Sequence, residues 1–479
     1  MIRRFQQYIP GAVITAILLI CSIVTVVLLG QTQMVPAKYL IVLGAVLVAL
    51  TAAICALVWT VRRRKCFVAG SILAAVVLVL FILGFFTIHH VTDALKGITG
   101  GNAEIAEVAV YVNTDDKAQT LQDAADYVFG ILTEIDRENT DKTLTEIQDT
   151  LGKAVTTVEY DSLTDLIQAL FNGDVGAIVM NTAFIDVLEE IKDYDDIADR
   201  LREIDVKQVE TPTAPTPAFD EDGIFRVLIS GVDTKGALRA RSRSDVNIIA
   251  TVNVNTHEVL LLTTPRDYFV ELPISNGQQD KLTFAGIYGI ENSVGTLEML
   301  YDIDIDYYFR LNFSGFSEII DTIGGVDVYS EYAFKLKFHE YQQGYNHLDG
   351  TSALAFARER YAFASGDVQR GKNQMAVIQA VINKLTTSTA LLNNFSGLMQ
   401  SLEGCFETNV PYEQVAALVR EQLNSMPTWK VHTYNVTGKG AYRVPYSSSH
   451  NSYVMIPNEE KVEIAKEKMQ AIVDGKPLE

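Results

Sequence analysis

The stretch Ala353–Gln374, ALAFARERYAFASGDVQRGKNQ, joins a group of arginines to the start of a predicted buried helix. From Asp367, which we interpret as the N-cap, apolar residues recur at helical spacing. This stripe consists of Val377, Ile378, Val381 and Leu385. Arg370 and Gln374 fall on the same face of the predicted helix, so we expect two polar side chains to point towards a core.

Arginine is a permanent cation, and an inward position requires a partner that offsets its desolvation. A structural salt bridge to a buried Asp or Glu would satisfy a single arginine. Arg358 and Arg360, however, lie just upstream of Arg370, and three arginines in so short a segment favour a bound anion. The stretch therefore predicts an anion site beside an apolar core.

Charge is strongly segregated along this sequence of 479 residues. No Asp or Glu precedes Asp93, so the part beyond it carries all 59 acids with 32 of the 39 Lys and Arg residues, a net charge of −27. Proteins that bind nucleic acid usually present a basic face. The composition therefore argues against a nucleic-acid partner and favours a specific anion.

Three apolar runs open the chain, at residues 9–30, 39–61 and 67–88, and each is long enough to span a bilayer. Arg3 and Arg4 precede the first run, a basic block at residues 62–65 separates the second from the third, and the outer loop has only Lys38. Because basic residues stay on the cytoplasmic side, we expect the amino terminus inside and the residues after 89 outside. The sequence thus predicts a transmembrane anchor at residues 1–90, on a protein of the Gram-positive bacterial surface.

Residues 103–206 alternate strand and helix patterns, which is typical of a small α/β domain with a partly parallel sheet. Strands are predicted over 108–112, 155–160 and 175–180, and helices over 118–132 and 162–171. This accessory segment has neither an arginine cluster nor a carboxylate pair at strand ends, so we expect it to modulate the reaction without carrying it out. A linker rich in Pro and Thr follows at residues 207–222.

Residues 223–474 are predicted to form a larger α/β domain. A buried strand over 225–229 leads to Asp233, and strands over 245–254 and 258–264 form a hairpin. Asp233, Arg243, Asp245 and Arg266 then lie at strand ends, where open α/β sheets bind ligands. Carboxylates supply oxygen ligands for Mg²⁺, and arginines suit phosphate oxygens. Turn carboxylates that simply pair with these arginines would give the same spacing.

Six motifs in order make the resemblance to a known family specific. They are GVD at Gly231, RSD at Arg243, PRD at Arg266, DKLTFAGIYG at Asp280, IGGVDV at Ile323 and FARERYAF…GD…QRGKNQ at Phe356. Together they resemble the LytR-CpsA-Psr family, and three spans with an extra domain resemble its capsule-linked members. The sequence departs from the family at KLTFAG, where many relatives have KINAAY, although Lys281 is kept.

The resemblance implies an α/β fold in which helices cover a mixed central sheet, with a lipid tail in an apolar tunnel between them. It implies a phosphotransferase that moves a glycopolymer from an undecaprenyl-pyrophosphate carrier at the membrane onto peptidoglycan, alongside capsule or wall-polymer assembly proteins. By motif, Asp233 and Asp245 would bind Mg²⁺, with Arg243 and Arg266 in the catalytic group. The substrate-binding residues would be Lys281, Arg358, Arg360, Arg370 and Gln374.

Two other functions use the same residues. A polyprenyl-pyrophosphate hydrolase would use water as the acceptor, and a noncatalytic regulator would only bind lipid phosphate. The paired carboxylates Asp233 and Asp245 favour catalysis, because a sensor needs no metal site. We therefore rank the transferase first, the hydrolase second and the regulator third.

Overall fold

The computed structural model describes residues 9–60, 64–98, 103–211, 222–232, 238, 240–387, 405–448 and 450–478. It begins with three helices that are long and apolar enough to cross a membrane. They are α1 (Ile9–Gln31), α2 (Ala37–Val58) and α3 (Arg64–Ile98). Helix α3 continues past residue 90, the predicted end of the anchor, and its Leu95 packs with Ile320 and Ala416 of the large domain.

The accessory segment forms a five-stranded mixed sheet in the order β3-β2-β4-β1-β5. Strand β2 is parallel to β3 and β4, whereas β1 is antiparallel to β4 and β5. The strands are β1 (Glu104–Asn113), β2 (Val128–Leu132), β3 (Thr156–Tyr160), β4 (Ala177–Asn181) and β5 (Leu201–Thr211). The helices are α4 (Arg137–Leu151), α5 (Leu163–Asn172), α6 (Phe184–Glu189) and α7 (Ile197–Arg200), with a 3₁₀ turn at Lys192–Tyr194.

Two predictions for this segment are wrong. Residues 118–132 are not a helix: the Asp123 carboxylate accepts from the backbone N–H groups of Gln119 and Thr120, which stabilises a turn instead, and the chain then enters β2. Residues 207–211 are strand rather than linker, because β5 pairs with β1 as far as Glu104 and Thr211. The remainder of the predicted linker, at 212–221, lies outside the described residues.

The large domain contains a six-stranded mixed sheet in the order β16-β11-β6-β7-β8-β17. Its strands are β6 (Ile224–Val232), β7 (Ser244–Asn253), β8 (Glu258–Thr263), β11 (Tyr307–Asn312), β16 (Phe406–Thr408) and β17 (Lys430–Asn435). Short pairs flank it: β9 (Phe269–Glu271) with β10 (Gln279–Lys281), β12 (Val326–Ser330) with β15 (Gly344–Leu348), β13 (Phe334–Lys335) with β14 (Glu340–Tyr341), and β18 (Gly438–Arg443) with β19 (Ser452–Pro457).

Helices cover the faces of this sheet. They are α8 (Leu282–Ala285), α9 (Ile290–Tyr301), α10 (Phe313–Thr322), α11 (Gly350–Arg358), α12 (Asp367–Thr387), α13 (Tyr412–Ser425) and α14 (Glu459–Val473), with a 3₁₀ turn at Gly286–Tyr288. The predicted α/β class, with a three-helix anchor and a mixed sheet covered by helices, is confirmed.

The accessory domain packs directly on the large domain. Phe184 and Leu188 of α6 belong to one buried cluster with Phe284, Ile287 and Tyr288 of the large domain. A second contact is electrostatic and lies at the start of β1, where the Glu104 carboxylate meets Arg310 of β11 at 2.9 Å. The apolar contact holds α6 next to the start of β7 and the end of β8, which is where the candidate site lies.

Candidate active site

Antiparallel pairing brings the predicted strand-end residues together. Because β7 runs antiparallel to both β6 and β8, its first residues lie next to the last residues of those strands. Arg266, just after β8, donates from Nη1 to Asp245 Oδ1 at 2.7 Å, and the Thr283 hydroxyl donates to the same oxygen at 3.2 Å. Asp233 lies outside the described residues, so its prediction stays a prediction.

Asp245 is largely buried and lies among cations. Burial by itself would raise the pKa of this carboxyl, but the charges of Arg266, Arg243 and Arg370 outweigh it, and the pKa lies below its ordinary value. Asp245 is therefore ionised at neutral pH. Because the charge of Arg370 contributes to the lower pKa of Asp245, the start of α12 lies close to the strand ends.

Glu190, directly after α6, reaches the same cluster from the accessory domain. Its Oε1 accepts from Arg243 Nη1 at 3.1 Å and from Arg266 Nη2 at 2.9 Å, while its Oε2 accepts from Lys281 Nζ at 2.5 Å. Asp186, one helical turn earlier, lies 3.2 Å from Arg243 Nε. The accessory segment thus supplies two carboxylates next to the predicted arginines, and the expectation that it modulates the reaction stays a prediction.

A sequence signal for Glu190 exists, although it is weak. Phe184, Val187 and Leu188 of α6 are buried, so Asp186 and Glu190 share another face at i and i+4. Two like charges at that spacing destabilise a helix unless cations meet them. Nothing in the sequence indicates which cations those are, because they lie beyond residue 240.

Arg360 lies on the segment that links α11 to α12, and Arg370 lies in the first turn of α12. Arg370 forms an ion pair with Asp367, three residues earlier, so the acid predicted as N-cap is instead the first residue of α12 and a partner of the arginine. Arg360 donates from Nη2 to the hydroxyl of the exposed Tyr361 at 2.6 Å. This bond lowers the pKa of Tyr361, and the charges of Arg360, Arg266 and Arg370 lower it further.

An apolar cavity of about 440 Å³ lies between the sheet and its covering helices. Strands β6, β7 and β11 form one wall, while α10, α11 and α12 form the other. Gln374 lines it together with Ile378, Val381 and Leu385, as the helical stripe predicts, and Arg358 of α11 lines it as well. The Arg358 guanidinium stacks over the Phe313 ring, 4.2 Å from its centroid, and so belongs to the polar end of the cavity.

The apolar end of the cavity lies beside the part of the large domain that contacts the anchor. The carbonyl of Thr386, near the end of α12, accepts from Gln422 of α13 at 2.8 Å. The loop between α1 and α2 contacts α13: Tyr412 donates its hydroxyl to the carbonyl of Thr32 at 2.9 Å. Lys38 Nζ meets the carbonyl of Asn424 at 2.5 Å. The cavity thus extends from the arginines towards the membrane anchor.

Asp267 is a second, largely buried carboxyl next to the cluster. Burial raises its pKa above the ordinary value, while Arg266 and Lys281 act in the opposite direction. Its Oδ1 lies 3.7 Å from Arg266 Nε. A carboxylate with a raised pKa is a better proton acceptor than an exposed one, so Asp267 is suited to general-base chemistry.

Oxygen ligands for a metal are few in what the structure describes. No group of three or more His, Cys, Asp or Glu side chains is arranged to hold a metal ion in that part of the chain. Asp245 is ionised and lies at the strand ends, as a carboxylate ligand of Mg²⁺ requires. Of the two predicted ligands the structure describes only Asp245, and its ionised carboxylate fits a hard cation.

Comparisons with known proteins agree with this architecture. Residues 181–471, more than half of the chain, match the LytR_cpsA_psr family. The chain is 33% identical over 201 residues to the polyisoprenyl-teichoic acid–peptidoglycan teichoic acid transferase TagU of Bacillus cereus, which covers 42% of this chain and 65% of that protein. TagU of Bacillus licheniformis is 30% identical over 198 residues, which cover 41% of this chain and 63% of that protein. The chain thus matches less than two thirds of the length of these relatives.

Among solved structures, B. subtilis TagV is similar with a TM-score of 0.44 and 27% identity, over 54% of this chain and 100% of that one. The family match covers the described residues of the candidate site, from Glu190 to Gln374. The resemblance seen in the six motifs is confirmed. The protein belongs to the LytR_cpsA_psr family.

Proposed function

We propose that this protein is a phosphotransferase that moves a glycopolymer from a polyprenyl-pyrophosphate carrier onto peptidoglycan. The observation that carries the proposal is a cluster of cations beside an apolar cavity that extends towards a membrane anchor. Arg243, Arg266 and Lys281 suit a pyrophosphate, whereas Ile378, Val381 and Leu385 suit an isoprenoid chain. The TagU relatives are named as transferases of teichoic acid from a polyisoprenyl carrier to peptidoglycan.

In the proposed reaction a hydroxyl oxygen of the acceptor attacks the phosphorus that carries the glycan. The bond from this phosphorus to the bridging oxygen breaks, and polyprenyl monophosphate leaves with the bonding electrons. The hydroxyl proton passes to Asp267, whose raised pKa suits it for this role. The arginines hold the phosphate oxygens throughout, because phosphoryl transfer depends mainly on positioning and on neutralising charge.

We further propose that Asp245 and Asp233 bind Mg²⁺, which when bound would neutralise charge on the pyrophosphate. The ionised state of Asp245 supports this assignment. We also propose that the site faces the outside of the cell. The basic residues around the spans support this orientation, as does the contact between the α1–α2 loop and α13, which puts that loop and the large domain on one side of the membrane.

The test uses full-length protein in detergent, with Asp245→Ala, Arg360→Ala and the exposed control Asp149→Ala. Arg360→Ala should retain at least about tenfold less polyprenyl phosphate, because one charge-assisted contact is worth about 1.5–3 kcal/mol. Asp245→Ala should retain lipid but lose transfer and its Mg²⁺ dependence. The phosphate products released in the presence of peptidoglycan are then compared with those released in its absence. Release of polyprenyl phosphate at equal rates in both cases would identify a hydrolase and refute the transferase.

A further inference from the structure

Glu190 occupies the place where a phosphate group would bind. Its two carboxylate oxygens are in contact with three cations, Arg243, Arg266 and Lys281, at 2.5–3.1 Å. A phosphate presents anionic oxygens to the same nitrogens at similar distances. The Lys281 side chain is 5% exposed and that of Arg266 is 13% exposed, so little room is left for a second anion on these nitrogens.

Arg266 shows the conflict most clearly. One of its terminal nitrogens, Nη1, donates to Asp245, and the other, Nη2, donates to Glu190. An arginine uses both nitrogens of its fork when it binds phosphate in the bidentate manner. A pyrophosphate therefore reaches Arg266 Nη2 only when the Glu190 carboxylate moves away.

The position of Glu190 allows its side chain to turn towards solvent. The residue follows the last residue of α6, while Phe184 and Leu188 hold that helix in the core shared by the two domains. The Glu190 side chain is 17% exposed, so it has access to solvent on one side. A change of its side chain and of the turn after it would free the cations without separating the domains.

We propose that Glu190 is an internal anion of the accessory domain that fills the phosphate site and is displaced by the pyrophosphate of the donor. The proposal rests on the proposed function, since the same cations are taken to bind the donor. It assigns the accessory domain a specific role. Glu190 keeps the cations paired while no donor is bound, and it lowers the affinity of these cations for every competing anion.

The test measures binding of inorganic pyrophosphate to the full-length protein in detergent by calorimetry. Glu190→Gln removes the competing charge, and Glu189→Gln, at an exposed neighbouring position, changes the net charge equally. Glu190→Gln should bind pyrophosphate about tenfold more tightly than the wild type, a change of about 1.4 kcal/mol. Glu189→Gln should stay within about twofold, and Glu190→Asp, which keeps the charge, should remain close to the wild type.

A second measurement follows the movement itself and does not depend on a variant. Amide hydrogen exchange over residues 189–196 of the wild type should become faster when pyrophosphate binds. Unchanged exchange, or unchanged binding by Glu190→Gln, would overturn the proposal. Weaker binding by Glu190→Gln would also overturn it and would show that Glu190 positions the cations for the ligand. If neither the wild type nor Glu190→Gln binds pyrophosphate, the proposed function fails as well.

Discussion

Arg266 is the residue on which the candidate site converges, because it contacts Asp245 of its own domain and Glu190 of the accessory domain. Burial acts against its charge, yet the carboxylates of Asp245, Asp267 and Glu190 raise its pKa. Lysine would keep the charge but lose the planar fork that reaches two oxygens at once.

We expect Arg266→Lys to weaken pyrophosphate binding about tenfold, since one charge-assisted contact is lost. The measurement is calorimetric titration with inorganic pyrophosphate. Arg226→Lys is the matched control, because Arg226 lies at the opposite end of β6 and donates to the exposed carbonyl of Asp304. Equal affinities for Arg266→Lys and the wild type would remove Arg266 from the anion site.

Asp280, the residue before Lys281, makes stability depend on pH. It is fully buried, and burial raises its pKa to about 6, although its oxygens accept from the backbone N–H groups of Lys281 and Ser447. In the unfolded chain an aspartate has a pKa of about 3.9. The folded state therefore holds this proton between about pH 4 and 6 while the unfolded state does not.

From this group we expect the free energy of unfolding to be highest below about pH 4 and to fall by about 3 kcal/mol as the pH rises through about 6. Asp280→Asn cannot ionise, so this component should disappear from its pH profile. Denaturant unfolding at several pH values measures the difference between variant and wild type. Asp149→Asn, at an exposed site, should keep the wild-type pH profile. A pH profile of Asp280→Asn that runs parallel to that of the wild type would contradict the assignment.

At the scale of the element, α12 carries both parts of the proposed site along one face. Arg370 is near its start, Gln374 lies at the polar end of the cavity, and Ile378, Val381 and Leu385 continue along the apolar wall. Successive turns of one helix thus pass from the proposed phosphate site to the proposed lipid site. The helix fixes the distance between the two because each residue adds about 1.5 Å.

A bulky side chain in the cavity should separate the two kinds of binding. Ile378→Trp should reduce copurifying polyprenyl phosphate severalfold, because it takes space from the cavity of about 440 Å³. Its affinity for inorganic pyrophosphate, which has no tail, should change by less than about twofold. Asn383→Trp lies on the exposed face of the same helix and should leave both unchanged. Equal lipid retention by both variants would exclude the cavity as the tail site.

At the scale of the whole molecule, a buried ion pair joins the accessory domain to the large domain. Glu104 accepts from Arg310 Nη1 at 2.9 Å and from the backbone N–H of Ile290 at 3.0 Å, and the Arg310 side chain is 2% exposed. Removing the accessory domain would leave this arginine without its nearest carboxylate. It would also expose Phe284 and Ile287, so we expect a chain without the accessory domain to be less stable.

Glu104→Leu should lower the free energy of unfolding by about 3 kcal/mol, because it leaves a buried charge without its main partner. Thermal unfolding of the full-length protein in detergent gives the measurement. Glu107→Leu, at a partly exposed position on β1, should cost less than about 1 kcal/mol. Equal effects of the two substitutions would show that the pair does not hold the domains together.

The proposed orientation is also a property of the whole molecule. We expect protease added to intact protoplasts to digest the chain beyond the third span and to spare a tag at the amino terminus, because the basic residues at 3–4 and 62–65 stay inside. Immunoblots against tags at both ends provide the readout. A protected carboxyl-terminal tag would refute an extracellular site.

The sequence by itself determined the features that depend on composition and local spacing. The three spans follow from length and hydropathy, and the shared face of Gln374, Ile378 and Leu385 follows from the helical repeat. The hairpin of β7 and β8 also follows from its pattern and places Asp245 near Arg266. In each case the deciding interactions lie within a few residues along the chain or within one repeat.

Only the tertiary structure decided which distant charges meet. Glu190 contacts Arg243, Arg266 and Lys281 because two domains dock through a shared apolar core, and no local pattern encodes that docking. The turn at 118–126 could not be predicted from the pattern either. The backbone N–H groups of Gln119 and Thr120 donate to the Asp123 carboxylate, and these hydrogen bonds compete with a helix. Contacts between segments far apart in sequence depend on the packing of the whole chain, so the accessory domain's place in the site emerged only from the fold.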